Sequence, residues 1–167
     1  VFVTATVLTG GLGLTKVEGA LIQSNLVAFT YLAPVIGGYI SDRYIGARYC
    51  VPVGLALMAG GYYFGAAATD ATGMNILVIL VAIGTGLFKG NVAAISGSLF
   101  KDKEQLDSAF SLQYSFVNMG AFIGTTAVGI LIATTFAHGD IQGFRPVFKV
   151  CSIICAINCL WFLFGTK

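Results

Sequence analysis

Apolar runs of roughly 20 residues follow one another through this chain with only short polar interruptions, and that is the length needed to cross about 30 Å of hydrocarbon. The pattern forces helices, because backbone polar groups in lipid have to be satisfied within the segment that carries them. A β-barrel needs alternating segments of about 10 residues, and the run from Ile76 to Ile83 does not alternate. Composition agrees: 57% of residues are hydrophobic and 10% charged, with a mean hydropathy of +0.89, far from the balance of a soluble domain. The net charge of +2 is small and scattered. No Lys/Arg cluster marks a nucleic-acid or lipid-headgroup surface, so the lipid bilayer is the expected environment and nucleic acid is not an expected partner.

The expected fold class is an all-α membrane protein with about five complete transmembrane helices plus the end of a sixth. The apolar stretch at 1–14 stops at Gly10, Gly11 and Gly13 and is too short to cross a bilayer, so it reads as the tail of a helix. Val1 opens without a basic region or a small-residue cleavage site, which argues against a signal peptide. Spans are then expected at 19–40, 49–68, 74–100, 108–136 and 147–164, with polar connections at Lys16–Glu18, Ser41–Arg48, Thr69–Gly73, Lys101–Asp107 and Ala137–Pro146. Gly61 with Gly65, the glycines 86, 90 and 97, and Gly120 with Gly124 offer faces for close helix contact. Placing Ser41–Arg48 in the cytoplasm puts Arg43, Arg48, Lys101, Lys103 and Lys167 on that side, against Lys16, Arg145 and Lys149 outside, a mild positive-inside bias. Cys151, Cys155 and Cys159 recur at every fourth residue on one face of an apolar helix and are expected to act as small packing residues, with neither disulfide nor metal geometry.

Three residues stand where lipid penalises them. Lys89 lies 12 residues before Lys101, about 18 Å along the axis. A lysine at the centre of a span costs roughly 2.5 to 3.5 kcal/mol on insertion scales, and this one is beyond easy snorkelling reach. Tyr31 is 11 residues before Asp42 and Asn118 is 11 after Asp107, each about 16 Å from the loop on the same side. An ammonium, a phenol and a carboxamide are therefore expected at one level near the midplane, where secondary transporters bind cargo. Singly, such residues are often packing or interhelical contacts; the shared depth is what favours a binding site. A carboxylate-bearing solute would use the Lys89 charge, Asn118 would meet an amide or carbonyl, and Tyr31 would supply a hydroxyl.

These residues sit within recognisable runs. GGYISDRYIGAR, from Gly37 to Arg48, resembles the loop between helices two and three of the major facilitator superfamily, with Gly37, Gly38, Asp42, Arg43, Gly46 and Arg48 in their expected places. GTGLFKGNVAAISGSLF, from Gly84 to Phe100, and FSLQYSFVNMGAFIG, from Phe110 to Gly124, resemble the two signature stretches of its proton-coupled oligopeptide transporter family. The likeness covers the chain as helices two to six plus the end of helix one, the greater part of an N-terminal helical bundle whose partner would be a C-terminal half. It implies that Lys89 contacts a peptide carboxylate, Asn118 meets the peptide backbone and Tyr31 lines the same pocket. It also implies that the Asp42–Arg43 loop is a cytoplasmic latch setting the inward/outward balance. The family's proton-coupling glutamates and arginine belong to helix one, before the first residue of this sequence.

The expectation is thus a multi-pass plasma-membrane symporter, on the short loops a bacterial inner-membrane one, taking di- and tripeptides with the proton as coupling ion and no other cofactor. Relatives of the family carry nitrate or other small anions, which keeps that cargo open. A non-transporting membrane protein assembled through its GxxxG faces is the reading from another class. An enzyme is not expected, because His138 has only Asp140 near it, and no metal site is indicated.

Overall fold

The computed structural model describes Thr4 and residues 11–100, 102–136 and 143–165. The expected helix tail at 1–14 and the loop bearing His138 and Asp140 fall largely or wholly outside the described residues. Within them the protein is all-α: α1 (Lys16–Ile40), α2 (Ala47–Ala67), α3 (Ala71–Leu99), α4 (Lys103–Ile130) and α5 (Phe144–Gly165), with one π-helical turn at Ser41–Ile45 and another at Leu131–Thr135. All five helices are long and apolar enough to cross a membrane.

Local chemistry sets the ends. Thr15 caps α1 in a capping box: its hydroxyl accepts from the Glu18 amide at 3.2 Å, and the Glu18 carboxylate accepts from the Thr15 amide at 2.9 Å. The expected Lys16–Glu18 turn is therefore the first turn of the helix. The Asp70 side chain caps α3, accepting from the Gly73 amide at 3.0 Å. The expected loop Lys101–Asp107 is mostly helix, since α4 begins at Lys103. Glu104 sits favourably in that first turn, and 28 residues span roughly 42 Å, longer than the hydrocarbon, so the charged turn projects into water. The expected Ser41–Arg48 loop is likewise short of irregular backbone. Its first five residues continue α1 as a wide turn, and Arg48 already belongs to α2. The break falls at Gly46, whose φ of 86° and ψ of 141° suit glycine alone.

Helix α3 is wedged between α1 and α2, and glycine makes both contacts. A Cβ on Gly86 would lie 2.6 Å from the Ala33 carbonyl, one on Gly37 2.6 Å from the Gly86 carbonyl, and Gly54 and Gly84 meet each other's carbonyl oxygen at the same distance. Backbone is thus packed directly on backbone, which without a hydrophobic driving force is how helices associate in lipid. Gly61 and Gly65 work differently: they receive the side chains of Val81 and Leu77. The core lies at this junction, with Ile22, Met74, Leu77, Val78 and Val81 buried together. Helix α5 covers the other side of α2. Ser152 Oγ donates to the Ala59 carbonyl at 2.7 Å, Cys159 Sγ to the Pro52 carbonyl at 3.3 Å, and Tyr62 stacks with Phe148. The α5 cysteines are half-buried free thiols on a packing face.

Helix α4 is the exception. It touches α3 only lightly, and Gly120, Gly124 and Gly129 have open space where a side chain would stand. The expected close contact at Gly120 and Gly124 is not made among the described residues, so those glycines serve no packing inside this bundle.

Candidate functional site

Lys89 is aimed by its neighbours. Leu87 and Asn91, two residues before and after it, stand about 160° away around α3 and are both buried, Asn91 to 1% exposure. Leu87 fills the space between α1 and α2, where its backbone nitrogen and Cβ face Gly37 and Gly54. The Asn91 amide donates to the Leu87 carbonyl at 2.7 Å, so this buried polar residue is packed and internally bonded. Packing on that face turns Lys89 outward on the other, into a groove of about 570 Å³ between α3 and α4. None of the described residues lining the groove is acidic; its other polar side chains are Ser96 and Gln113, among Phe88, Val92, Phe116 and other apolar groups.

Helix register fixes depth. A Cβ on Gly97 would meet the Phe110 ring at 3.5 Å. Lys89 is eight residues before Gly97 and Asn118 eight after Phe110 on the antiparallel α4, so the two share a level as expected. Asn118 nevertheless occupies the side of α4 away from the groove, together with Ser111, Ser115 and Thr125, and its amide donates to the Tyr114 carbonyl at 3.0 Å. Tyr31 differs in depth. Ala33 and Gly37 both abut Gly86, so the level of Gly86 falls between them. Helices α1 and α3 run in the same direction, which puts Tyr31 about seven residues, roughly 10 Å, to the other side of Lys89. Its side chain is 77% exposed, on the face of α1 turned from α3. The structure therefore brings Lys89 and Asn118 to one level, and Tyr31 to another, with only Lys89 in the groove. Counting back from Asp42 misplaced Tyr31 in part because the helix winds on past Ser41 to Ile45.

Asp42 and Arg43 in the turn between α1 and α2, and Arg48 on the first turn of α2, are exposed, and Arg43 Nη1 donates to the Tyr39 hydroxyl at 3.4 Å. Ser41 is 1% exposed, and its hydroxyl has no partner among the described residues. The loop glycines divide: Gly37 is a helix-packing residue, Gly38 has open space beside it, and Gly46 supplies the conformation that reverses the chain.

Gln113 escaped the sequence reading. Its Oε1 is buried in the groove without a hydrogen-bond partner among the described residues. The available signal was a second carboxamide in an apolar span, five residues before Asn118.

The Major Facilitator Superfamily profile matches residues 1–167. A peptide transporter of Yersinia enterocolitica is 33% identical over 147 residues, covering 86% of this chain and 28% of that protein. A di-/tripeptide transporter of Lactococcus lactis is 32% identical over 120 residues, 71% of this chain and 24% of that protein. The crystal structure of a transporter of the oligopeptide family in complex with a thioalcohol-conjugated peptide superposes with a TM-score of 0.87 at 27% identity, over 99% of this chain and 33% of that one. The chain spans about a quarter of the length of the curated relatives it matches.

Proposed function

The chain belongs to the major facilitator superfamily, in its oligopeptide transporter branch, and from that premise we propose that it forms part of a secondary transporter that moves di- and tripeptides by alternating access, driven by protons. It is a multi-pass membrane protein, and its bacterial relatives favour an inner membrane. The observation that carries the reading is Lys89: an ammonium ten residues inside a 29-residue span, turned away from the packed face and into an open groove with no acidic residue among its described lining. Lipid does not tolerate such a charge uncompensated, so an anionic ligand group or water has to reach it.

In this reading Lys89 holds the cargo carboxylate, and Asn118, at the same depth, meets an amide of the cargo. Tyr31 supplies a hydroxyl roughly 10 Å along the bundle, which is about the extended length of three residues. Turning Asn118 toward the cargo requires α4 to rotate or a second half of the transporter to enclose its exposed polar side; the light α3–α4 contact leaves α4 free to settle there. The latch role belongs to Asp42 and Arg43, exposed on the turn that Gly46 ends, and to Arg48 on the first turn of α2, with that second half as their partner. Among the described residues the carboxylates stand near helix ends or in the turn between α1 and α2. Peptide cargo is preferred over nitrate because the relatives of known cargo carry peptides by name.

The test is uptake of a labelled dipeptide into proteoliposomes holding the complete transporter. Accumulation that needs an inward proton gradient and is blocked by unlabelled dipeptide but not by nitrate is expected. Uptake indifferent to the gradient, or competed by nitrate alone, refutes the reading.

A further inference from the structure

The seam between α1 and α3 carries two hollows, each of about 210 Å³, that differ in chemistry. One lies near the N-terminal ends of both helices and is lined by Glu18, Asn25 and Asn75 among apolar neighbours. The other is wholly apolar, with Phe29, Leu32, Ile79 and Ile83 in its wall. Asn25 to Phe29 and Asn75 to Ile79 are each about one helical turn, so the second hollow continues the first along the seam. Asn75 is 11 residues before Gly86, whose level falls between Ala33 and Gly37, so it stands within about 1.5 Å of the depth of Asn25. Neither hollow shares a residue with the Lys89 groove. Around α1, Asn25 lies roughly 80–120° to one side of Ala33 and Gly37 and Tyr31 roughly 120–160° to the other, so the hollows open on the face of the bundle away from Tyr31.

Depth follows chemistry here. The span Lys16–Tyr44 has 29 residues, roughly 43 Å, and exceeds about 30 Å of hydrocarbon by roughly 7 Å at each end. Glu18, in the first turn, therefore stands among headgroups, and Asn25 a little over one turn inside the hydrocarbon. Cβ bonds tilt toward a helix's N-terminus, so both carboxamides lean back toward the interface. Glu18 is held by its cap: Oε2 accepts from the Thr15 amide at 2.9 Å and the Thr15 hydroxyl at 2.8 Å, while Oε1 has no partner among the described residues. Neither carboxamide side chain has a partner among them. Unpaired amides facing hydrocarbon are costly, and the phosphate and ester oxygens of a lipid are the acceptors that reach this depth.

We propose that this seam binds a phospholipid with a primary-ammonium headgroup, in the leaflet opposite the Asp42–Arg43 turn. The ammonium donates to Glu18, the phosphate and ester oxygens accept from the amides of Asn25 and Asn75, and one acyl chain lies along Phe29, Leu32, Ile79 and Ile83. The site does not depend on the nature of the cargo.

The experiment places the complete transporter in nanodiscs holding equal amounts of phosphatidylethanolamine and phosphatidylglycerol, each with a photoreactive acyl chain of distinct mass, and maps the cross-links by peptide mass spectrometry. Cross-links to Ile153 and Ile157, exposed on α5, report the bulk lipid in each sample. Labelling of Phe29 to Ile36 and of Ile79 to Ile83 is expected, with phosphatidylethanolamine favoured over its bulk share by roughly two- to fivefold, the range of an exposed ion pair. Glu18→Gln removes the charge and keeps the capping box, which glutamine also forms; labelling should persist and the preference fall to near one. Asn25→Leu together with Asn75→Leu should lower seam labelling by both lipids alike. An unlabelled seam beside a normally labelled α5, as when a helix of the other half covers it, overturns the proposal. So does equal labelling by the two lipids in wild type, or a preference that survives Glu18→Gln.

Discussion

Gly86→Ala should loosen the bundle, and the structure gives the size of the effect. The new Cβ would stand 2.6 Å from the carbonyl carbon and oxygen of Ala33 and 2.7 Å from its Cβ. Ordinary contact begins near 3.4 Å, so α1 would have to retreat by about 0.8 Å. That movement opens the contact at Gly37 as well, since Gly37 rests on the same Gly86 carbonyl. Overpacking of this kind costs roughly 1–3 kcal/mol, and exchanging glycine for alanine in a helix returns about 0.8–1 kcal/mol. The net is a loss of up to about 2 kcal/mol, or a factor of up to roughly 30 in the folded population. Gly120→Ala is the matched control: nothing lies within 4 Å, so only the propensity gain of about 1 kcal/mol remains and the sign reverses. Cys50, with 0% exposure, is a built-in reporter. Its labelling rate by a thiol reagent in detergent micelles, resolved from the other three cysteines by mass spectrometry, follows opening of the bundle. Faster labelling in Gly86→Ala and slower labelling in Gly120→Ala are expected. Equal rates, or protection by both substitutions, would refute the glycine-wedge packing of α3.

Three other substitutions probe separate parts. Gly46→Ala forces a side chain into φ 86°, ψ 141° and should destabilise the α1–α2 turn by about 1–3 kcal/mol; labelling of Cys50, on the first turn of α2, measures it. Ser152→Ala removes the hydrogen bond to the Ala59 carbonyl; a loss of about 0.6 kcal/mol is typical of such bonds in membranes, and a double-mutant cycle with Tyr62→Leu should show coupling across the α2–α5 contact. Tyr31→Phe keeps the ring and deletes one hydroxyl, so the half-saturation constant for peptide uptake should rise roughly two- to tenfold with the maximal rate little changed.

The spans were legible because hydrocarbon thickness and backbone satisfaction leave a chain like this one choice, and Lys89 stood out because charge at that depth is rare. Helix ends were harder to read. Charged residues mark where the membrane stops and not where the helix stops, so Lys103 to Asp107 read as loop although α4 already includes them. The π-helical turn at Ser41–Ile45 leaves no sequence signature beyond its closing glycine, and it accounts for part of the displacement of Tyr31 from its expected level. Glycine spacing showed which helices can approach closely but not which do: Gly54, 84, 86 and 37 meet backbone, while Gly120 and Gly124 meet nothing within the bundle. Orientation around α4 was beyond the sequence, because a helix that barely touches its neighbours has no packed side from which to reason. Gln113 was overlooked for that reason; it lines the groove, where its Oε1 has no hydrogen-bond partner among the described residues.

The functional reading stands or falls on whether the Lys89 ammonium is used. The direct measurement is gradient-driven uptake of a labelled dipeptide by the Lys89→Ala transporter in proteoliposomes, alongside its abundance in the membrane. Uptake should fall to background while insertion is unchanged. Wild-type accumulation by the alanine variant would mean that the buried charge serves neither cargo nor coupling.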